Sequence, residues 1–440
     1  MNAAAAIRFH SSRGSGGSRG FGAALLEGLA ADGGLYVPDR WPQFTPADFQ
    51  GADSLAAVGE RLIGAFVAGD AIAPQLPALL REAFDFPAPL APLSADGRLA
   101  ILELFHGPTA AFKDFGARFL AGAFSRLRPG GARPLTILVA TSGDTGGAVA
   151  AAFHGRPGTE VVVLFPKGLV SPTQERQLTC WGGNVRSLAV RGTFDDCQRL
   201  VKEAFLDARL RERSTLSSAN SINLGRLLPQ SVYYAATSLA VWRRHGERAS
   251  FVIPSGNLGN ALACLWARQA GLPIGEVVLA HNANRTVPDY LAGGEWRPRP
   301  SIATLASAMD VGNPSNMERL RALFPDAAVL RTKITACSVS DAQIRARIRV
   351  GYEQYGQIWC PHTATAAEAW EHLPPERRGH GRWVLVATAH PAKFPETVEP
   401  LIGRKVPVPP ALAQLFARPS HSTEIEASLA ALAAVLGERR

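Results

Sequence analysis

The chain has 440 residues, 47% hydrophobic and 19% charged, a balance that supports a large buried core and two or three domains. Its net charge of +9 is spread along the chain with only short clusters, such as Arg243-Arg244 and Arg377-Arg378, so a basic nucleic-acid stripe is absent and an anionic small molecule fits at least as well. No apolar run reaches the ~18 residues of a membrane span, residues 1–8 are too short for a secretion signal, and the five cysteines show no paired or zinc-type spacing, so a cytoplasmic protein with reduced thiols and no metal is expected.

Residues 11–20 (Ser-Ser-Arg-Gly-Ser-Gly-Gly-Ser-Arg-Gly) read as a loop to which no function is assigned. Helical spacing follows over Phe21–Leu29, closed by the Asp32-Gly33-Gly34 turn, and again near Leu55–Ala68 and Ile72–Ala83. The proline-rich stretch Phe86–Leu93 is the best domain boundary in the chain. Beyond it the rhythm is strand, loop, helix, repeated. Strands are predicted at Leu99–Leu104, Thr136–Ala140, Glu160–Phe165, Val185–Val190, Ser250–Ile253, Glu276–Ala280 and Trp383–Ala387. Short apolar runs separated by helices predict an α/β fold with parallel sheet. The end, Glu424–Arg440, reads as a surface helix.

Two segments share one plan. The strand Thr136–Ala140 leads through Thr141-Ser142-Gly143-Asp144-Thr145-Gly146-Gly147 into a helix from about Ala148. The strand Ser250–Ile253 leads through Pro254-Ser255-Gly256-Asn257-Leu258-Gly259-Asn260 into a helix from about Ala261. Glycines allow a tight turn and close approach of backbone to a ligand, and a following helix start turns free N–H groups toward an anion. Either loop alone reads equally well as a plain strand-to-helix turn, and neither matches a phosphate-loop or dinucleotide fingerprint. Together they suggest two anions, one on a cofactor and one on a substrate.

A third segment, His106-Gly107-Pro108-Thr109-Ala110-Ala111-Phe112-Lys113-Asp114-Phe115-Gly116, sets a lysine between two phenylalanines. Burial lowers a lysine pKa and yields a nucleophilic amine suited to Schiff-base chemistry. The ordinary alternative is a lysine whose stem covers apolar surface while its head reaches water.

These three segments resemble signatures of the bacterial threonine synthases, enzymes of fold type II that use pyridoxal 5′-phosphate (PLP). So do Ser218-Ala219-Asn220-Ser221-Ile222-Asn223 with Arg226, Asp310–Asn316, Thr388–Phe394 and the N-terminal Gly28–Pro38. The motifs come in the family's order over nearly the whole chain. The resemblance implies an α/β fold of the tryptophan synthase β type, with two parallel-sheet subdomains and a small N-terminal domain. It implies an N-terminal domain over residues 1–93, a catalytic domain over 94–405 and a C-terminal segment over 406–440.

The implied reaction turns O-phospho-L-homoserine and water into L-threonine and phosphate by γ-elimination and β-addition, the last step of threonine biosynthesis. The alternative is a phospho-lyase of the same fold that ends at 2-oxobutanoate. The resemblance makes Lys113 the Schiff-base lysine and proton carrier. Asp144, Ser255, Gly256, Asn257, Leu258, Gly259, Asn260 and Thr388 become cofactor contacts, with Asp144 standing where many relatives of this fold carry Asn. Thr141, Ser142, Thr145, Asn220, Ser221, Arg226 and Lys393 become substrate contacts. His390 is open between a substrate contact and a brace of its turn. The partner implied is a small anionic substrate, and a monomer or homodimer is expected.

Overall fold

The computed structural model describes residues 6–128, 133–141 and 143–437. Ser142, one of the expected substrate contacts, lies outside the described residues.

Thirteen strands form three sheets among the described residues. In chain order they are β1 (Phe9–Ser11), β2 (Tyr36–Pro38), β3 (Leu90–Pro92), β4 (Leu99–Glu103), β5 (Leu135–Ala140), β6 (Thr159–Pro166) and β7 (Val185–Arg191). There follow β8 (Thr215–Ser218), β9 (Ala249–Pro254), β10 (Ile274–His281), β11 (Thr335–Ser338), β12 (Arg382–Ala387) and β13 (Thr423–Glu426). The larger of the two parallel-containing sheets has the order β11-β10-β9-β12-β4-β3, and the smaller one β13-β7-β6-β5-β8. All pairs in both are parallel except β3 with β4. The α/β class with two parallel-sheet subdomains and a small N-terminal unit is thus as expected.

Every predicted strand is present, and each is apolar because helices cover both faces of a parallel sheet. Val161 to Phe165 in β6 and Phe251 to Ile253 in β9 are completely enclosed. The chain end differs from its prediction. In place of one surface helix there is β13, which pairs with β7, and then the helix Leu429–Gly437, whose Leu432 and Leu436 are buried in the smaller core. The alternation of Glu and Ile in Thr423–Glu426 marks an edge strand with one buried side chain, Ile425.

The two loop helices also start earlier than predicted, at Asp144 and Gly259. Thr141 Oγ1 accepts from the N–H groups of Gly143 and Gly146 at 3.0 and 2.9 Å, which winds the first turn directly out of β5. Leu258 does the same work after β9 by taking a left-handed φ of +62°.

The N-terminal unit is tied to the catalytic body by Arg319, a fully buried arginine on the helix Met317–Leu323. Its guanidinium donates to the Tyr36 carbonyl of β2 at 2.9 Å, to Ile222 O at 2.6 Å and to Ser221 O at 3.3 Å, and to Asn316 Oδ1 at 2.9 Å. The 11–20 loop is docked as well. Ser12 Oγ and the Arg13 guanidinium both donate to the Glu318 carboxylate, at 2.6 Å and at 3.0 and 3.1 Å.

Candidate active site

The site segments all follow the carboxyl ends of parallel strands, where an open α/β sheet presents its loops. β4 leads to Lys113, β5 to Asp144, β8 to Asn220, β9 to Gly256 and β12 to Thr388. The two Gly-rich loops therefore sit on different sheets and face each other across one cavity of about 1660 Å³.

The β9 loop is a rigid cradle. A Cβ on Gly256 would stand 2.8 Å from the Met309 Cα and 3.1 Å from the Ala308 carbonyl, so backbone packs on backbone and only glycine fits. Asn257 is pinned from both sides: its amide donates to Ser221 Oγ at 2.7 Å, and its side-chain oxygen accepts from the Ser315 N–H. Left-handed Leu258 then turns the chain into the helix Gly259–Gln269, whose first N–H groups are free to meet an anion. Ser255 is less available, since its hydroxyl donates to Ile253 O at 2.9 Å. Asn260 accepts from the hydroxyls of Tyr233 and Tyr234 at 2.5 and 2.8 Å, and its own buried amide nitrogen has no protein partner.

Lys113 opens the helix Lys113–Leu127. Phe115, two residues on, anchors that turn against Phe86 and Tyr233, with ring centroids 4.6 and 5.1 Å apart. The lysine side chain is 13% exposed, faces the cavity, and lies with Nζ 3.8 Å from Asp144 Oδ2. Burial pulls its amine down to about 8, with Lys393 and Arg226 pushing the same way and Asp144 opposing them. Asp144 remains an ionised carboxylate. Burial raises it, but the cations around it, Lys393 first, outweigh that and hold it well below the usual range.

A further cation, Arg226, lines the cavity beside the Lys113 helix. Arg226 is buried in the short helix Leu224–Leu227, not on the surface, and Gly116 makes room for it: a Cβ there would lie 2.5 Å from the Arg226 carbonyl. One guanidinium nitrogen donates to Ala219 O, while Nε is buried without a partner. Burial lowers the group to about 10, with Asp114 opposing, so it stays a cation at neutral pH. The Asn220 side-chain oxygen is likewise buried and unpartnered. Orphaned buried groups of this kind are expensive in a site that never receives a polar ligand.

The expected residues mostly converge. Lys113, Asp144, Thr145, Asn220, Ser221, Arg226, Thr388 and the whole Ser255–Asn260 loop line the cavity. Thr141 lines it too, but its hydroxyl is engaged by its own loop. Lys393 is placed elsewhere. It is fully enclosed behind the cavity wall, 2.7 Å from Asp144 Oδ1, and donates to Thr109 O at 2.8 Å. That position gives it no face toward a substrate. His390 braces its turn by accepting from the Ala392 N–H at 3.1 Å.

Sequence reasoning missed His362. It lines the cavity at the start of the helix Pro361–Glu371, is held neutral by burial at about 4, and accepts from the Ala308 N–H at 3.1 Å. Its only signal was a Pro-His step before a helical run, which is too common to read. The Asp310–Asn316 signature had been noticed without a role. It buttresses the cradle: Asn316 donates to Asn257 O at 3.0 Å, and Asp310 accepts from Asn282 at 2.7 Å.

A depressed amine, a glycine-and-amide cradle beside it and a buried hydroxyl at Thr388 define a PLP-dependent enzyme. A family profile described as pyridoxal-phosphate dependent enzyme matches residues 86–389. The profiles of the threonine synthase N terminus and C-terminal part match residues 8–84 and 363–436. The chain belongs to the threonine synthase family. It is 40% identical over 416 residues to the threonine synthase of Haemophilus influenzae, covering 94% of this chain and 96% of that one. The crystal structure of the PLP-bound threonine synthase of Brucella melitensis superposes with a TM-score of 0.89 at 34% identity, over 98% of this chain and 99% of that one. The Escherichia coli structure gives 0.88 at 37%, over 98% and 99%.

The residues present fit PLP: an amine for its aldehyde, a cradle that excludes a Cβ for its phosphate, and unpartnered buried donors nearby. Gly256→Ala is expected to weaken PLP binding about 10-fold or more, because the added methyl must push the loop off Met309. Titrating the visible absorbance with added cofactor measures this.

Proposed function

We propose that this chain converts O-phospho-L-homoserine and water to L-threonine and phosphate with PLP, closing threonine biosynthesis. The observation that carries the reading is one cavity lined by the Lys113 amine, the Gly256–Gly259 cradle, and Arg226 with Asn220, whose buried polar atoms lack partners.

In this reading, backbone N–H groups of Gly256, Asn257, Leu258 and Gly259 hold the cofactor phosphate, with Ser255 and Asn260 shaping the loop. Thr388 meets the ring nitrogen with a hydroxyl, and Asp144 is the charged neighbour of Lys113. When bound, the cofactor supplies a sink for the negative charge that develops at the substrate carbons. Lys113 takes the proton from Cα, and its reach along the chain serves the transfers at Cβ that accompany loss of the γ-phosphate and addition of water. A pKa near 8 suits that work, since an appreciable fraction is unprotonated near neutral pH. Arg226, Asn220, Ser221, Ser142, Thr141 and Thr145 hold the substrate phosphate. A buried arginine can grip it with two parallel hydrogen bonds.

The partner is the small anionic substrate, and we place the protein in the cytoplasm as a monomer or homodimer. Among the described residues, no helix is long and apolar enough to cross a membrane. We divide the chain at residues 93 and 405 into an N-terminal domain, a catalytic domain and a C-terminal segment. Incubation with O-phosphohomoserine tests the function. Equal amounts of phosphate and threonine are expected, whereas phosphate with 2-oxobutanoate would assign the phospho-lyase reaction of the same fold.

A further inference from the structure

Lys393 ends the short turn Pro391–Lys393, is enclosed completely and does not reach the cavity. Its Nζ is 2.7 Å from Asp144 Oδ1, and the Thr109 carbonyl fixes it there by accepting a hydrogen bond at 2.8 Å. The other Asp144 oxygen is 3.8 Å from Lys113 Nζ. One buried carboxylate thus stands between two lysine amines, close to the hidden one and farther from the one in the cavity. Burying a second lysine is unfavourable in itself and calls for a reason.

Resting on the reading of Lys113 as the reacting amine, we propose that Lys393 is a positioning residue that occupies Asp144 and so leaves the Lys113 amine uncommitted. Without Lys393 the enclosed carboxylate would need a counter-ion, and Lys113 is the nearest. Lys113 would be drawn into a close ion pair and kept protonated, the form that cannot attack a carbonyl carbon. With Lys393 in place the carboxylate is already matched, and a further proton on Lys113 meets like charge.

Among the described residues no other group takes the role. The charges facing Lys113 are Asp144, Lys393 and Arg226, with His362 beside them. Those facing Lys393 are Asp144, Asp114, Lys113, His362 and His390. Asp114 is committed to Thr109, accepting from its N–H at 2.8 Å and its hydroxyl at 2.6 Å. Arg226 donates to Ala219 O and is not among the groups acting on Asp144, which are Lys393, Lys113 and His362. Both histidines are held neutral by burial, at about 4.

The test compares Lys393→Met, Lys393→Arg and the double variant Asp144→Asn/Lys393→Met with the wild type. Two readouts are followed against pH. One is the rate at which cofactor-stripped protein takes up PLP, seen in the visible band; an amine condenses with an aldehyde, losing water, only when unprotonated. The other is kcat for O-phosphohomoserine, which reports the ionisations of the substrate complex. In Lys393→Met the rising limb of both profiles should move to higher pH by about one unit or more. Lys393→Arg keeps the charge and should stay within a few tenths of a unit of wild type. The double variant restores the net charge around Lys113 and should also return there, although each change alone disturbs the site.

An unmoved profile in Lys393→Met, an Arg variant displaced like Met, or a double variant still displaced would each overturn the proposal. If Lys393→Met does not fold, the Arg and double variants decide by the same criteria. Borohydride fixation of PLP in the wild type separates the underlying reading: a label on a lysine other than 113 removes Lys113 from its role, whatever the profiles show.

Discussion

Lys113→Ala is expected to lower turnover of O-phosphohomoserine by about 10⁴-fold or more, the largest effect of any single change in this chain. The substitution removes the cavity-lining amine beside Asp144, the group that the proposed function uses both to hold the cofactor aldehyde and to carry protons between the substrate carbons. The phosphate cradle is untouched by the change, so PLP should still bind, more weakly, through Gly256–Gly259. Borohydride should then fix no cofactor to the protein, whereas in the wild type it should bleach the yellow band and leave the label on the peptide containing Lys113. A variant that keeps a tenth of its activity would remove Lys113 from the chemistry.

Arg226→Ala should act on the other anion. Its loss deprives a dianionic group of a buried cation whose Nε has no protein partner, and the apparent affinity for O-phosphohomoserine should fall by roughly 2–5 kcal/mol. Arg226→Lys should recover part of that, because a point charge cannot make two parallel hydrogen bonds. PLP affinity should barely change in either variant if, as proposed, Gly256–Gly259 holds the cofactor phosphate. Spectral titration with substrate, beside a titration with PLP, gives both numbers. Equal substrate titrations in all three proteins would assign the phosphate to Asn220, Ser221 and Thr145 without the arginine. Lys393 could not then take its place, as it is enclosed behind the wall.

The seven strands predicted from sequence are the seven interior strands of the two catalytic sheets, and the four missed there, β3, β8, β11 and β13, are the four edges. The reason is physical. An interior parallel strand is covered on both faces and is mainly apolar, while an edge strand such as Thr215–Ser218 or Thr335–Ser338 is short, more polar and held mainly by its backbone. The Gly-rich loops and the lysine segment were legible because their chemistry lies in consecutive residues. Lys393 was legible as a motif residue but not in its placement, since nothing local distinguishes a lysine that meets a ligand from one that meets a carboxylate 249 positions earlier in the chain. His362 had no motif at all, and only the fold brings it to the cavity.

The join made by Arg319 has a further consequence. Three of its four acceptors are main-chain carbonyls, at Tyr36, Ser221 and Ile222. A carbonyl is the same whatever side chain follows it, so the seam between the N-terminal unit and the wall of the cavity is indifferent to most changes at those positions. The neighbouring join of Ser12 and Arg13 to Glu318 is of the opposite kind, since it depends on all three side chains and a change at any one of them loses it.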